Sequence, residues 1–125
     1  MKLSLFGIAV TLACFLAGCF GKSPIKRACT QEARAGLNII VKDSQSNLFL
    51  HDSLSIIAGS GTYTESLENF PGSPPTFSGA WEREGTYTVS IKRPRYQSFV
   101  TSPIVVTKDE CHVIPLTQTI SLVPR

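Results

Sequence analysis

Hydrophobic and polar residues alternate with a period of two along most of the chain from Gly36 onward. Because successive side chains of a β-strand point to opposite faces, this period predicts strands that each bury one face. The predicted inward residues of four strands are Leu37, Ile39 and Val41; Leu54, Ile56 and Ala58; Tyr87, Val89 and Ile91; and Ile114, Leu116, Ile120 and Leu122. Trp81 alternates with Phe77 in the same way, so Trp81 is expected in the core.

Turn signals separate these strands at intervals of about 8–12 residues. Gly59-Ser60-Gly61 predicts a tight hairpin, because glycine adopts a positive φ without strain. The segment 69–75 contains three prolines, which cannot donate hydrogen bonds to a sheet, and is predicted to be an irregular loop. About seven or eight short strands with little helix predict an all-β protein, an antiparallel β-sandwich.

The chain begins differently, with Lys2 followed by a nearly unbroken apolar run from Leu3 to Leu16. This run is too short to span a bilayer as a helix, which needs about 20 residues. It ends in Leu16-Ala17-Gly18-Cys19, which resembles the lipobox of bacterial lipoprotein signals at every position. The resemblance implies cleavage after Gly18, acylation of Cys19 and membrane anchoring through that lipid. The alternative is an ordinary secretory signal that leaves Cys19 as a thiol.

The chain thus divides into three predicted parts. These are a signal peptide at 1–18, a lipid-anchored tether at 19–29 and a β-sandwich domain at 30–125. The tether contains three basic residues that could touch anionic headgroups, although a solvated linker is the plainer interpretation. In lipoproteins of double-membraned bacteria an aspartate after the acylated cysteine is typical of inner-membrane retention. Phe20 stands there, which favours the outer membrane, facing the periplasm, in such a cell.

The division of the chain into these three parts predicts the role of each of the four cysteines. Cys14 leaves with the signal and Cys19 carries lipid, so Cys29 and Cys111 are predicted to form a disulfide. The bridge would close an 83-residue loop and stabilise the fold by about 4.5 kcal/mol in the chain-entropy model. A metal pair of Cys111 and His112 is the alternative, but neighbouring strand residues point to opposite faces. His112 is instead expected to pack half-buried beside the disulfide.

The charge is slight, because the chain without its signal has 11 basic and 9 acidic residues. A strongly basic face is absent from the sequence, so no nucleic acid is expected as a partner. The sequence also lacks a phosphate-binding glycine loop and a metal-spaced cluster, and neither a cofactor nor a metal is expected.

Catalytic motifs are few, and the protein is predicted not to be an enzyme. His51-Asp52-Ser53 contains the residue types of a hydrolytic triad, but three consecutive residues cannot converge on one substrate atom. Glu82 and Glu84 share one predicted strand face near a turn, where solvated carboxylates are expected.

Two surface features are candidate binding surfaces. One is a basic and aromatic hairpin tip suited to an acidic partner, lipid headgroups or an anionic polymer. The other is a stiff, partly apolar loop of the kind that presents binding surfaces on a sandwich. Their residues are Lys92, Arg93, Arg95 and Tyr96 in the tip, and Phe70, Pro71 and Pro74 in the loop. A solvated turn and loop filler are the plainer interpretations.

The segment 78–89 resembles the carboxypeptidase regulatory-like domains, which are transthyretin-like β-sandwiches. Gly85-Thr86-Tyr87 matches their Gly-x-Tyr strand start, whereas Arg95-Tyr96 stands where Gly-Tyr is usual. The resemblance covers Gly36 to Leu122 and implies a transthyretin-like sandwich without catalytic residues. Another immunoglobulin-like sandwich is the alternative fold.

These features predict a lipid-anchored cell-envelope lipoprotein whose β-sandwich is a binding or structural module. Its expected partners are the membrane, through Cys19, and an envelope protein. An adaptor or inhibitor of an envelope enzyme is the alternative. A small-molecule hydrolase is least expected, because the transthyretin-like purine-pathway enzymes end in Tyr-Arg-Gly-Ser and this chain ends in Leu122-Val123-Pro124-Arg125.

Overall fold

The computed structural model describes residues 28–125. Within this range every regular secondary-structure element is a β-strand. The strands form two five-stranded sheets packed around one core. The prediction of an all-β sandwich is confirmed. The predicted signal peptide, the acylation site Cys19 and the tether through Arg27 lie outside the described residues.

Ten strands make up the two sheets. In chain order they are β1 (Ala35–Asp43), β2 (Phe49–Leu50), β3 (Ser55–Ser60), β4 (Tyr63–Ser66), β5 (Glu68–Phe70), β6 (Thr76–Trp81), β7 (Gly85–Lys92), β8 (Phe99–Val100), β9 (Ile104–Val106) and β10 (Leu116–Leu122). The first sheet has the order β10-β1-β6-β5, with β2 paired to β1. The second has the order β4-β3-β7-β8, with β9 paired to β7. The count exceeds the predicted seven or eight because four strands have only two or three residues.

Strand pairs are antiparallel, as predicted, except for β1 and β10. These two run parallel, with Leu37 opposite Leu116 and Asp43 opposite Leu122. The reason is the route of the chain. Strand β9 ends with Val106 opposite Gly85, so the segment 107–115 changes sheets at the end of the sandwich where β1 also begins.

The core lies between the sheets and contains the inward faces predicted for β1, β3 and β7. Its largest fully buried side chains are Tyr87, Leu37, Ile39, Ile56, Ile91, Leu122, Val41, Val89, Val106 and Val113. In the last predicted strand Ile120 and Leu122 are buried, but Ile114 and Leu116 are exposed. That part of the prediction is wrong because β10 is an edge strand whose first half lacks cover.

Trp81 is half-exposed, so the prediction that it lies in the core is wrong. The adjacent Ala80 is fully buried instead, and both Ala80 and Glu82 have positive φ, at 56° and 49°. These two left-handed residues break the alternation at the end of β6. The Trp81 ring therefore packs on the outside, in an edge contact with Phe70 at 6.0 Å between ring centroids.

The strand directions define two ends of the sandwich. The disulfide end comprises the segments 28–34, 61–62, 82–84 and 107–115, beside the start of β1. The loop end comprises the segments 44–48, 51–54, 71–75 and 93–98 and residues 123–125, beside the end of β1. Each end collects several connections, and the candidate functional residues lie at one end or the other.

Candidate functional site

The two predicted binding features lie at the same end of the sandwich and are joined by a third loop. Loop 71–75 connects β5 to β6, and segment 93–98 connects β7 to β8. Between them, Arg93 donates from Nε to the Asp52 carbonyl at 2.9 Å and from Nη2 to Asp52 Oδ1 at 2.7 Å. On the other side, Asn69 Nδ2 donates to the His51 carbonyl at 3.4 Å. Residues 49–53, 69–75 and 92–96 therefore form one continuous area, the loop surface.

A cleft of about 240 Å³ opens in the apolar part of the loop surface. It is lined by Phe49, His51, Asn69, Pro71, Gly72 and Pro75. Phe49 and Phe70 are each more than 40% exposed, so large apolar groups face solvent at and beside the cleft. Of the predicted loop residues Pro71 lines the cleft, whereas Pro74 is half-buried and does not.

The basic residues of the loop surface differ in their contacts: Arg93 contacts other residues of the loop surface, whereas Lys92 and Arg95 are exposed. Arg93 pairs with Asp52 and lies over the Tyr96 ring, 5.1 Å from its centroid. Lys92 and Arg95 are exposed and form no ion pair within residues 28–125. Arg93 therefore holds the loop, whereas Lys92 and Arg95 face solvent.

Tyr96 also holds the loop end together, because its hydroxyl donates to Asp43 Oδ2 at the end of β1. Asp43 Oδ1 accepts from the backbone N–H groups of Gln45 and Ser46 at 2.8 and 2.9 Å. The Tyr96 hydroxyl, followed by these two N–H groups, lowers the pKa of Asp43 to about 2. The same contact raises the pKa of Tyr96. The sequence predicted the Asp43 turn but not its link to Tyr96.

At the opposite end the structure joins Cys29 to Cys111 in a disulfide, as the cysteine count predicted, with 5.3 Å between the Cα atoms. The segment 28–34 has no regular structure and is exposed. The disulfide therefore fixes this segment to the turn before β10.

A buried histidine adds a second attachment at the disulfide end. His112 Nδ1 pairs with Glu82 Oε2 at 2.5 Å, and its Nε2 lies 2.9 Å from Thr30 Oγ1. Glu82 also accepts backbone N–H groups from Val113 at 3.0 Å and Arg34 at 3.1 Å. Glu82 is thus the centre of a network of three segments, and the expectation of a solvated carboxylate is wrong. Its positive φ, which sequence does not reveal, ends β6 beside the turn that carries His112.

The Glu82 carboxylate stays ionised because its hydrogen bonds outweigh its partial burial. Burial by itself raises the pKa of Glu82, but the Val113 N–H, the His112 ring and the Arg34 N–H lower it, with a net decrease. Nearby, the His112 and Cys111 N–H groups lower the pKa of Asp109.

Thr30, His112 and Glu82 are arranged in the order of hydroxyl, imidazole and carboxylate found in hydrolytic triads. Thr30 and His112 line a cleft of about 330 Å³, whereas Glu82 does not. A hydrolase also needs N–H donors aimed at the developing oxyanion. The Cys111 and His112 N–H groups beside Thr30 both donate to Asp109 Oδ1, at 2.8 and 2.9 Å. We therefore interpret the arrangement as an attachment of segment 28–34.

Within residues 28–125 no helix is long and apolar enough to cross a membrane, and no three His, Cys, Asp or Glu side chains are grouped to hold a metal ion. No protein-family model matches the chain, and no curated protein is significantly similar to it. The assignment of a function therefore rests on the geometry of the two ends.

Proposed function

We propose that this protein is a lipid-anchored cell-envelope lipoprotein whose β-sandwich is a non-enzymatic binding module, with the loop surface as its binding site. The observation that carries this proposal is the position of the two binding features predicted from sequence. They form one continuous surface, held by the Arg93–Asp52 and Asn69–His51 contacts. This surface lies at the end opposite the disulfide.

The anchor and the loop surface are well separated in this proposal. Nine residues lie between the acylated Cys19 and the disulfide-bonded Cys29, and an extended chain over these ten residue-to-residue steps reaches at most about 35 Å. Strand β1 has nine residues and adds about 27 Å between the two ends. A partner of the loop surface is therefore engaged at a distance from the anchoring lipid of the same chain.

The composition of the loop surface favours a protein partner over a polymer. Exposed phenylalanine, proline and arginine side chains beside a small cleft are typical of the centre of protein interfaces. The exposed cations are few, whereas binding of a polyanion depends on many simultaneous charge contacts. An envelope protein with an acidic rim around an apolar group is the partner that this surface fits, in an adaptor or an inhibitor role.

The transthyretin-like resemblance is compatible with this role. Its Gly-x-Tyr motif lies at the start of β7, where Gly85 has a φ of 153° and the Tyr87 ring is fully buried. These residues stabilise the fold and have no catalytic or binding role in this proposal. The resemblance therefore concerns the architecture alone, and the proposed binding site lies in the loops.

Photo-crosslinking in intact cells tests the proposal. A photoreactive residue at Ser73 and another at Arg95 sample the two halves of the loop surface, and one at Thr62 in the β3–β4 turn is the control. We expect one protein to be captured from both loop positions and not from Thr62. Capture of lipid or wall polymer alone, or of nothing, would show that the loop surface has no protein partner.

A further inference from the structure

One side of the sandwich carries no charged residue. The described chain has eight basic and nine acidic residues, but none lies in 96–107 or 111–124. These two segments contain β8, β9 and β10, and we refer to them as the uncharged flank. Its exposed apolar side chains are Phe99, Val100, Val105, Ile114, Leu116 and Val123. Several large apolar side chains exposed on one side of a small domain are typical of an interaction surface.

The flank also presents an open sheet edge. Strand β10 has seven residues and is paired with β1 on one side, and no described strand lies along its other side. Thr117, Gln118 and Thr119 are exposed there. Unpaired N–H and C=O groups on such an edge accept another strand unless charge, proline or shortness prevents it.

The other sheet edges are shorter than β10, which has prolines only outside its seven residues, at Pro115 and Pro124, and is bridged to Tyr96 only beyond its end, at Pro124. Strand β4 has four residues, including the charged Glu65, and β5 has three residues and is followed by Pro71. Strands β8 and β9 have two and three residues and are separated by Pro103. Strand β10 therefore offers the longest uncharged edge within residues 28–125.

We propose that β10 pairs antiparallel with β10 of a second copy of this chain across a two-fold axis. Because the edge is uncharged, self-pairing brings no like charges together. Residues 118–121 of β10 also line a cleft of about 330 Å³ together with Phe99, Thr101, Ser102 and Pro103, so this part of β10 is not covered by the other sheet.

The distribution of charge selects the antiparallel arrangement. At the loop end and the adjoining strand ends, the basic residues are Lys42, Lys92, Arg93, Arg95 and Arg125, and the acidic ones are Asp43 and Asp52. At the disulfide end the acidic residues are Glu32, Glu82, Glu84, Asp109 and Glu110, and the basic ones are Arg34, Arg83 and Lys108. Within residues 28–125, antiparallel pairing places the net-positive loop end of each copy beside the net-negative disulfide end of the other. Parallel pairing would bring like ends together.

This pairing does not depend on the lipid anchor or on the loop surface, which shares only Tyr96 with the flank. It predicts that a cysteine on β10 lies close to its own copy near the two-fold axis. The test is a cysteine scan, Thr117→Cys, Gln118→Cys and Thr119→Cys, in the full chain in cells. Thr64→Cys on the β4 edge is the matched control.

We expect a disulfide-linked homodimer from at least one β10 position and none above the wild-type background from Thr64→Cys. Adding Thr119→Lys to Thr117→Cys should lower the linked fraction several-fold, because each copy then carries a charged side chain on the paired edge within two residues of the axis. Adding Thr88→Lys, an exposed site on β7, should not. The proposal is overturned if no β10 position links, if Thr64→Cys links equally, or if the linked species contains a different protein.

Discussion

A few single residues set the conformation where the alternating pattern ends. Ala80 and Glu82, both with positive φ, turn Trp81 outward and bring the Glu82 carboxylate to His112. A positive φ cannot be predicted from alanine or glutamate in the sequence. Glycine favours this conformation, and other residues adopt it only where the tertiary structure requires it. The burial of Tyr87, Val89 and Ile91, by contrast, follows from local alternation alone.

Close packing makes Gly79 intolerant of a larger side chain. A Cβ at this position would lie 2.2 Å from Leu67 Cδ2 and 3.0 Å from Glu65 Oε2. Leu67 is buried, so it cannot move into solvent. We expect Gly79→Ala to lower the free energy of unfolding by about 1–3 kcal/mol, measured by urea denaturation.

Gly72→Ala is the matched control for that substitution. Its Cβ would meet nothing closer than the Pro74 carbonyl oxygen at 3.5 Å, so the expected change is within about 0.5 kcal/mol. Equal stability of the two variants would contradict the packing that we describe around Gly79.

At the scale of strands and loops, the alternation predicts β1, β3 and β7 well and the edges poorly. A central strand is covered by the opposite sheet and must alternate, whereas the edge strand β10 leaves residues 116–119 exposed in succession. In the loops, too, local features are predicted from sequence and contacts between distant residues are not. Turn residues identify the Asp43 turn and the 93–95 turn, but only the fold brings Tyr96 to Asp43.

The Tyr96–Asp43 hydrogen bond should contribute to stability in a pH-dependent way. The folded pKa of Asp43, about 2, lies below its ordinary value of 3.8. Its stabilising effect is therefore fully present above about pH 4 and is lost as the pH falls toward 2. Tyr96→Phe removes the main cause of the shift. We expect a lower melting temperature than wild type at pH 7, and a difference that narrows between about pH 4 and pH 2.

A double-mutant cycle separates this effect from the loss of a hydroxyl group. In an Asp43→Asn background Tyr96→Phe should cost less, and its cost should not change below about pH 4. A melting-temperature difference that is constant over that range in the native background would show that Asp43 is not the partner that matters.

At the scale of the whole molecule, the fold separates two ends whose net charges, within residues 28–125, have opposite sign. The disulfide and the Glu82–His112 network fix the segment that follows the predicted tether, and the loop surface lies at the other end of β1. The proposed function depends on this separation and on a lipid at Cys19.

Labelling with a fatty acid tests that anchor. Cys19→Ala should abolish incorporation of labelled palmitate, because the lipobox thiol is the proposed acylation site. Cys14→Ala, the matched control in the apolar run, should leave incorporation unchanged. Labelled palmitate retained in Cys19→Ala, detected on the gel-purified protein, would exclude acylation at Cys19 as the anchor.

The sequence by itself determined the fold class, the inward faces of the central strands and the pairing of Cys29 with Cys111. The alternation of hydrophobic and polar residues is a local pattern, and the disulfide follows from counting the cysteines that remain after Cys14 and Cys19 are assigned. Neither requires knowledge of which strands become neighbours. Only the tertiary structure decided that β10 runs parallel to β1, that the two candidate binding features share one surface, and that Glu82 meets His112. Each of these depends on residues distant in the chain, whose proximity is set by strand order and by backbone conformations that the local sequence does not specify.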